Sequence, residues 1–150
     1  MPQEYKTLMH QWFEEVWNEQ SEDAIDRMCS EDIVAYGLSD TEGNTIRGID
    51  SYKIFFRTFV SAYPDMKITV EDTVSEGNKI AARCRITAIH AGVGLGIAPT
   101  NQPVEFTGMT IARVEDGKIV EAWNEFDFMK MYAQVGALDL HLQYEDTLIS

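Results

Sequence analysis

Four strand-like runs in the second half of the chain, 66–74, 79–90, 104–114 and 118–126, constrain the fold more than any other feature. Glu76-Gly77-Asn78 and Glu115-Asp116-Gly117 separate them pairwise, and both are hairpin signals. The Asp-Gly pair is the stronger of the two, because a tight hairpin turn needs positive φ at its central residues. Residues 91–100, rich in glycine, make a longer connection between the second and third runs. An antiparallel sheet with one apolar face must be covered, so the first half has to supply a cover.

That first half reads as mostly helical. Over 4–19, Tyr5, Leu8, Met9, Trp12, Phe13, Val16 and Trp17 form one wide apolar stripe at helical spacing, with Glu14, Glu15 and Glu19 off it. Such a stripe is a core-facing surface before it is an aromatic ligand box. Ser21 is placed to cap a short helix over 22–29 whose acidic first turn opposes the macrodipole. A short strand follows at 33–36 and a polar loop at 39–44. A helix over 48–62 carries Tyr52, Phe55, Phe56, Phe59 and Val60 on one side and stops before Pro64. A last helix is expected from near Asp127 to about Val135. The fold class is therefore α+β in one domain, with a core over about 4–136 and a tail over 137–150.

Composition limits the partners. Twenty-five acidic residues against 12 basic ones leave a net charge of −13. A phosphate backbone or an anionic lipid surface repels such a chain, so no nucleic acid and no membrane is expected as a partner. No apolar run is long enough for a spanning helix, and the N-terminus lacks the pattern of a signal peptide. With Cys29 and Cys84 far apart and outside any short motif, buried reduced thiols in a cytoplasmic protein are expected. His10, His90 and His141 lack metal-ligand spacing, so no metal is expected.

Strand parity indicates which side chains face inward. In 79–90 the even positions Ile80, Ala82, Cys84, Ile86, Ala88 and His90 are the apolar set. In 118–126 the even positions are Val120, Ala122, Asn124 and Phe126, with Asn124 the polar intruder. In 104–114 both sets are mixed, but the even positions Gly108, Thr110 and Ala112 are small and leave room beside them. His90, Thr110 and Asn124 thus share one concave, mostly apolar face, the usual composition of a small-molecule site. Asp127 is a further acid/base candidate, although a cap at a helix start is the commoner role. Trp17, Tyr36, Met109 and Phe126 complete the candidate lining. Trp123 and its acidic neighbours suggest a packed outer face and a homodimer.

Several segments resemble the SnoaL-like polyketide cyclase, or ester cyclase, family. They are Gln11 to Asn18, His90-Ala91-Gly92 with Gly96 to Thr100, Phe106-Thr107-Gly108, and Glu115 to Asp127. The resemblance covers about 4–136. It implies the cone-shaped curved sheet of the nuclear-transport-factor-2-like superfamily, with N-terminal helices enclosing a pocket, and commonly a dimer. It also implies cofactor-independent intramolecular aldol chemistry, with an Asp on the last long strand as acid/base and a His on the preceding strand assisting. This chain departs from that pattern: the Asp position falls on Asn124 and the His position on Thr110. An amide does not exchange a proton near neutral pH, but it can hold an oxyanion. His90 matches the family's His-x-Gly segment.

The leading expectation is a cofactor-independent cyclase or isomerase-type enzyme acting on a hydrophobic small molecule. His90 or Asp127 would move the proton, while Asn124 and Thr110 orient oxygen atoms. The alternative is a non-catalytic binding protein that kept the pocket and lost the acid/base. A dimeric accessory protein with a vestigial pocket is the third.

Overall fold

A computed structural model describes residues 8–138. Ten elements follow one another: α1 (Trp12–Asn18), α2 (Glu22–Met28), β1 (Cys29–Ser39), β2 (Thr45–Arg47), α3 (Ile49–Ala62), β3 (Lys67–Glu76), β4 (Lys79–Ile89), β5 (Pro103–Glu115), β6 (Lys118–Phe126) and α4 (Phe128–Gln134). The strands form one curved six-stranded sheet in the order β2-β1-β6-β5-β4-β3. The helices cover its inner face, so the α+β architecture stands as expected.

Local chemistry accounts for most boundaries. The Ser21 hydroxyl accepts from the Ala24 N–H and starts α2. Asp116 and Gly117, at φ +50° and +77°, make the tight turn between β5 and β6. Asp127 closes β6 and caps α4, its carboxylate accepting from the Lys130 N–H at 3.0 Å.

Three features depart from the sequence reading. The sheet is mixed rather than antiparallel throughout, because β1 pairs parallel with β6 through Val34–Glu121, Ala35–Ala122 and Tyr36–Trp123. The strand expected at 33–36 extends over Cys29–Ser39, and the three-residue β2 beside it was not expected. Pairing on both sides of β1 supplies the hydrogen bonds that carry it past the apolar segment. Finally, 12–18 is a π-helix rather than an α-helix. Its wider turn buries Trp12, Phe13, Val16 and Trp17 together, and π turns are frequent at functional sites.

One glycine governs the parallel junction. Gly37 has φ +82°, and a Cβ there would lie 1.8 Å from the Asn124 carbonyl oxygen. Only glycine lets β1 cross so close to β6. Tyr5 and His141, and the tail from 139 onward, lie outside the described residues.

Candidate functional site

The inner face of the sheet and helices α1, α3 and α4 enclose a cavity of about 70 Å³. Its helical wall comes from Trp12, Phe13 and Trp17 on α1, Tyr52, Phe55 and Phe59 on α3, and Phe128 on α4. Its sheet wall includes Ile86, Phe106, Thr110, Ala112, Ala122, Asn124 and Phe126. The rings hold one another: Trp17 lies 5.1 Å from Phe56 and 6.1 Å from Phe55, and Phe59 lies 4.8 Å from Phe55. The room that Gly108 was expected to leave is taken by the ring of Phe126, its cross-strand partner.

Two polar side chains sit opposite each other in this apolar wall. Thr110 on β5 and Asn124 on β6 are direct cross-strand partners, 3% and 9% exposed. Such partners have Cβ atoms about 4.5–5.5 Å apart, so one ligand oxygen can reach both. The Asn124 Nδ2 donates to the Tyr36 carbonyl at 2.9 Å. A carbonyl accepts only, so this contact fixes the amide with its nitrogen toward β1. That leaves the Asn124 Oδ1, its second N–H and the Thr110 hydroxyl without another partner among the described residues.

No Asp, Glu, His, Lys or Arg lines the cavity among the described residues. Its two titratable side chains are neutral. Burial raises the Tyr52 phenol well above the tyrosine range, so it remains a donor. Burial likewise pushes the Cys29 thiol up to about 12, despite Lys118 nearby. The cavity can therefore donate and accept hydrogen bonds but carries no group that titrates near neutrality.

The structure brings together Trp17, Thr110, Asn124 and Phe126 of the expected site residues. The other four lie elsewhere. Tyr36 and Met109 face outward. Tyr36 stacks on Trp123 at 5.9 Å and donates to Glu121, while Met109 is 57% exposed. Both follow strand parity: Ile33 and Ala35 are the buried positions around Tyr36 in β1, and Gly108 and Thr110 those around Met109 in β5. Asp127 is an exposed helix cap.

His90 is buried but lies outside the cavity lining, beside Tyr63 with ring centroids 5.5 Å apart. The Thr100 N–H donates to its Nδ1 at 3.2 Å and the Thr100 hydroxyl lies 3.0 Å from the same atom, so the imidazole clasps both ends of the loop 90–102. Strand β4 ends at Ile89, and from that point parity no longer governs direction.

Sequence reasoning missed Tyr52, Phe55, Phe59 and Phe128 as lining residues. The apolar face of α3 was visible, but it signals core and pocket wall alike. It also missed Asn18, whose amide donates to the Ile68 carbonyl at 2.8 Å and accepts from the Ile68 N–H at 2.7 Å. This clasp fastens α1 to the edge strand β3.

Candidate metal-binding groups of three or more His, Cys, Asp or Glu do not occur among the described residues. No described helix is long and apolar enough to cross a membrane.

Among solved structures, the chain is similar to AclR from Streptomyces galilaeus, a candidate hydroxylase, at 29% identity and TM-score 0.81, with 99% of this chain and 92% of that one covered. IdmH from Streptomyces antibioticus, a candidate polyketide cyclase, matches at 28% identity and TM-score 0.76, covering 87% and 97%. A SnoaL-like protein from Jannaschia sp. CCS1 shares the fold at 19% identity and TM-score 0.81, covering 92% and 95%. No curated protein matches the chain. The family model for SnoaL-like polyketide cyclases matches residues 7–135, and the chain belongs to that family.

Proposed function

We propose that the cavity binds a hydrophobic, carbonyl-bearing small molecule and promotes cyclase or isomerase-type chemistry on it without a cofactor. The observation that carries this reading is the Thr110–Asn124 pair, the polar patch on the sheet side of an apolar, ring-lined chamber. A ligand carbonyl accepts from the Thr110 hydroxyl and the free Asn124 N–H. When a proton leaves the adjacent carbon, negative charge grows on that oxygen. Donors already fixed in place stabilise it, each typically contributing about 10²–10³ in rate. With no group in the cavity that titrates near neutrality, the proton passes to solvent or to a basic group of the substrate. His90 and Asp127 serve by position: His90 holds the loop 90–102, and Asp127 holds the start of α4, whose Phe128 walls the chamber.

A second reading is supported by that same lack of an acid or base. The chain would then bind and release its ligand unchanged. Exchange of carbon-bound hydrogen into a ketone such as 1-tetralone, followed by NMR in D₂O, separates the two. Exchange faster than buffer that is lost in Asn124→Leu and reduced in Thr110→Val supports the enzyme. Protection or binding shifts without exchange support the binding protein. Neither exchange nor binding by this ketone or larger hydrophobic ketones overturns both.

We also propose a homodimer through the outer sheet face. Tyr36, Trp123, Ile111, Ala81 and Val74 are successive cross-strand partners and form one apolar row across five strands. Paired charges rim it, Arg113 with Glu121 on one side and Arg83 and Arg85 with Glu71 on the other. An apolar centre with a charged rim is the usual anatomy of an interface. Ile111→Asp should convert a dimer to a monomer in sedimentation; a wild-type chain that sediments as a monomer would sink the idea.

A further inference from the structure

Phe55, Phe59 and Phe128 each line two spaces at once. On one side is the 70 Å³ inner cavity. On the other is a groove of about 600 Å³ whose rim carries Ser39, Asp40 and Thr41. The three rings form the boundary, with Phe59 in the middle, 4.8 Å from Phe55 and 5.6 Å from Phe128. Another groove, of about 460 Å³ beside Asp65 and Gln134, shares no lining residue with the inner cavity.

Volume argues that the inner cavity is only part of a site. At ~10–15 Å³ for a water, it has room for roughly five waters. Sites for drug-sized molecules run from about 300 to 1,000 Å³, a range that the outer groove reaches and the inner cavity does not. The boundary between them is side chain against side chain. Ring pairs of this kind contribute only ~0.5–1.5 kcal/mol each, and partly exposed side chains change rotamer within about nanoseconds. The backbone of Phe59 is held in the last turn of α3, its carbonyl accepting from the Tyr63 N–H at 2.9 Å, so ring rotation alone can join the two spaces.

We infer that the inner cavity and the outer groove are two chambers of one site for an elongated apolar molecule, and that Phe59 sets how long a ligand the site accepts. This rests on the reading of the inner cavity as a ligand site. A bound molecule places one end against Thr110 and Asn124, and the other among the hydroxyl and carboxylate groups of Ser39, Asp40 and Thr41.

Nile red, a neutral fused-ring ketone with polarity-sensitive emission, tests this by titration into the purified chain. Emission reports apolar burial, and quenching of Trp12 and Trp17 reports arrival in the inner chamber. Phe59→Ala should bind the dye about tenfold tighter, the equivalent of removing roughly one ring–ring contact. Phe59→Trp should bind it more weakly, and Phe59→Leu should fall between wild type and Phe59→Ala. Ala122→Leu, which fills the inner end, should weaken binding in every background. Circular dichroism verifies that each variant is folded, and Phe59→Leu carries the test if Phe59→Ala is not. Binding that depends on Ala122 but is indifferent to every Phe59 variant overturns the two-chamber site and leaves the inner cavity as a site. Binding indifferent to Ala122→Leu overturns the reading of the inner cavity itself.

Discussion

Asn18 offers the sharpest test of how the cavity is held together. Its amide makes both halves of a strand-like pair with Ile68, donating at 2.8 Å and accepting at 2.7 Å, from a partly buried position. Ile68 lines the cavity, so the clasp fixes one wall. Asn18→Ala removes both bonds and leaves an N–H and a C=O of β3 without partners. A net hydrogen bond contributes about 0.5–1.5 kcal/mol, and an unsatisfied buried group costs about 1–3 kcal/mol. Water reaches part of this site, so a loss of about 2–4 kcal/mol is expected, or roughly 5–15 °C in Tm for a chain of this size.

Asn18→Asp separates the clasp from mere packing. The carboxylate keeps the acceptor for the Ile68 N–H but opposes the Ile68 carbonyl and Glu14, whose Oε2 lies 3.0 Å from the Asn18 Nδ2. Its folded-state pKa is thereby raised. The deficit should be fully present above that pKa and shrink as pH falls through it, because the carboxyl proton restores a donor. Urea unfolding followed by tryptophan fluorescence at several pH values measures both effects. Asn18→Ala within about 0.5 kcal/mol of wild type, or Asn18→Asp equal to wild type at pH 7, would refute the reasoning.

Four further outcomes follow from the same geometry. Gly37→Ala meets the Asn124 carbonyl at 1.8 Å and needs left-handed backbone, itself about 1–2 kcal/mol, so a total loss above ~3 kcal/mol is expected in urea unfolding. Cys29 and Cys84, buried and raised by that burial to about 12, should resist an aromatic disulfide reagent at pH 8 in the folded chain and react at once in urea. The Arg113 guanidinium lowers the Glu121 carboxyl, so its contribution is present above the ordinary glutamate value and lost as pH falls through the lowered one; Glu121→Gln should flatten that acid limb. Asp127→Ala should cost about 1 kcal/mol by loss of the cap, while Asp127→Asn, which keeps an acceptor, costs less and leaves turnover intact.

Much of the fold was legible because its signals are local. Alternation along β4 and β6, the Asp116-Gly117 turn, the Ser21 cap and the stop before Pro64 depend on residues within a few positions of one another. The inner placement of Asn124 followed from the same alternation, since a strand turns every second side chain to one face, and that of Thr110 from its small even-position neighbours Gly108 and Ala112. Parity likewise turns Tyr36 and Met109 outward, against their place in the expected lining. His90 eluded it for another reason: parity holds only within a strand, and β4 ends one residue earlier.

What tertiary structure alone decided is everything that joins distant segments. The parallel pairing of β1 with β6 depends on Gly37 meeting Asn124, 87 residues away, and no local pattern encodes that contact. The orientation of the Asn124 amide is set by a carbonyl on another strand. The division of space by Phe55, Phe59 and Phe128 arises where α3 meets α4. The sequence by itself determined an apolar, concave sheet face bearing Thr110 and Asn124, because burial and strand period are properties of short segments. The volume of the chamber, its lack of a group that titrates near neutrality and its neighbouring groove were determined only by packing.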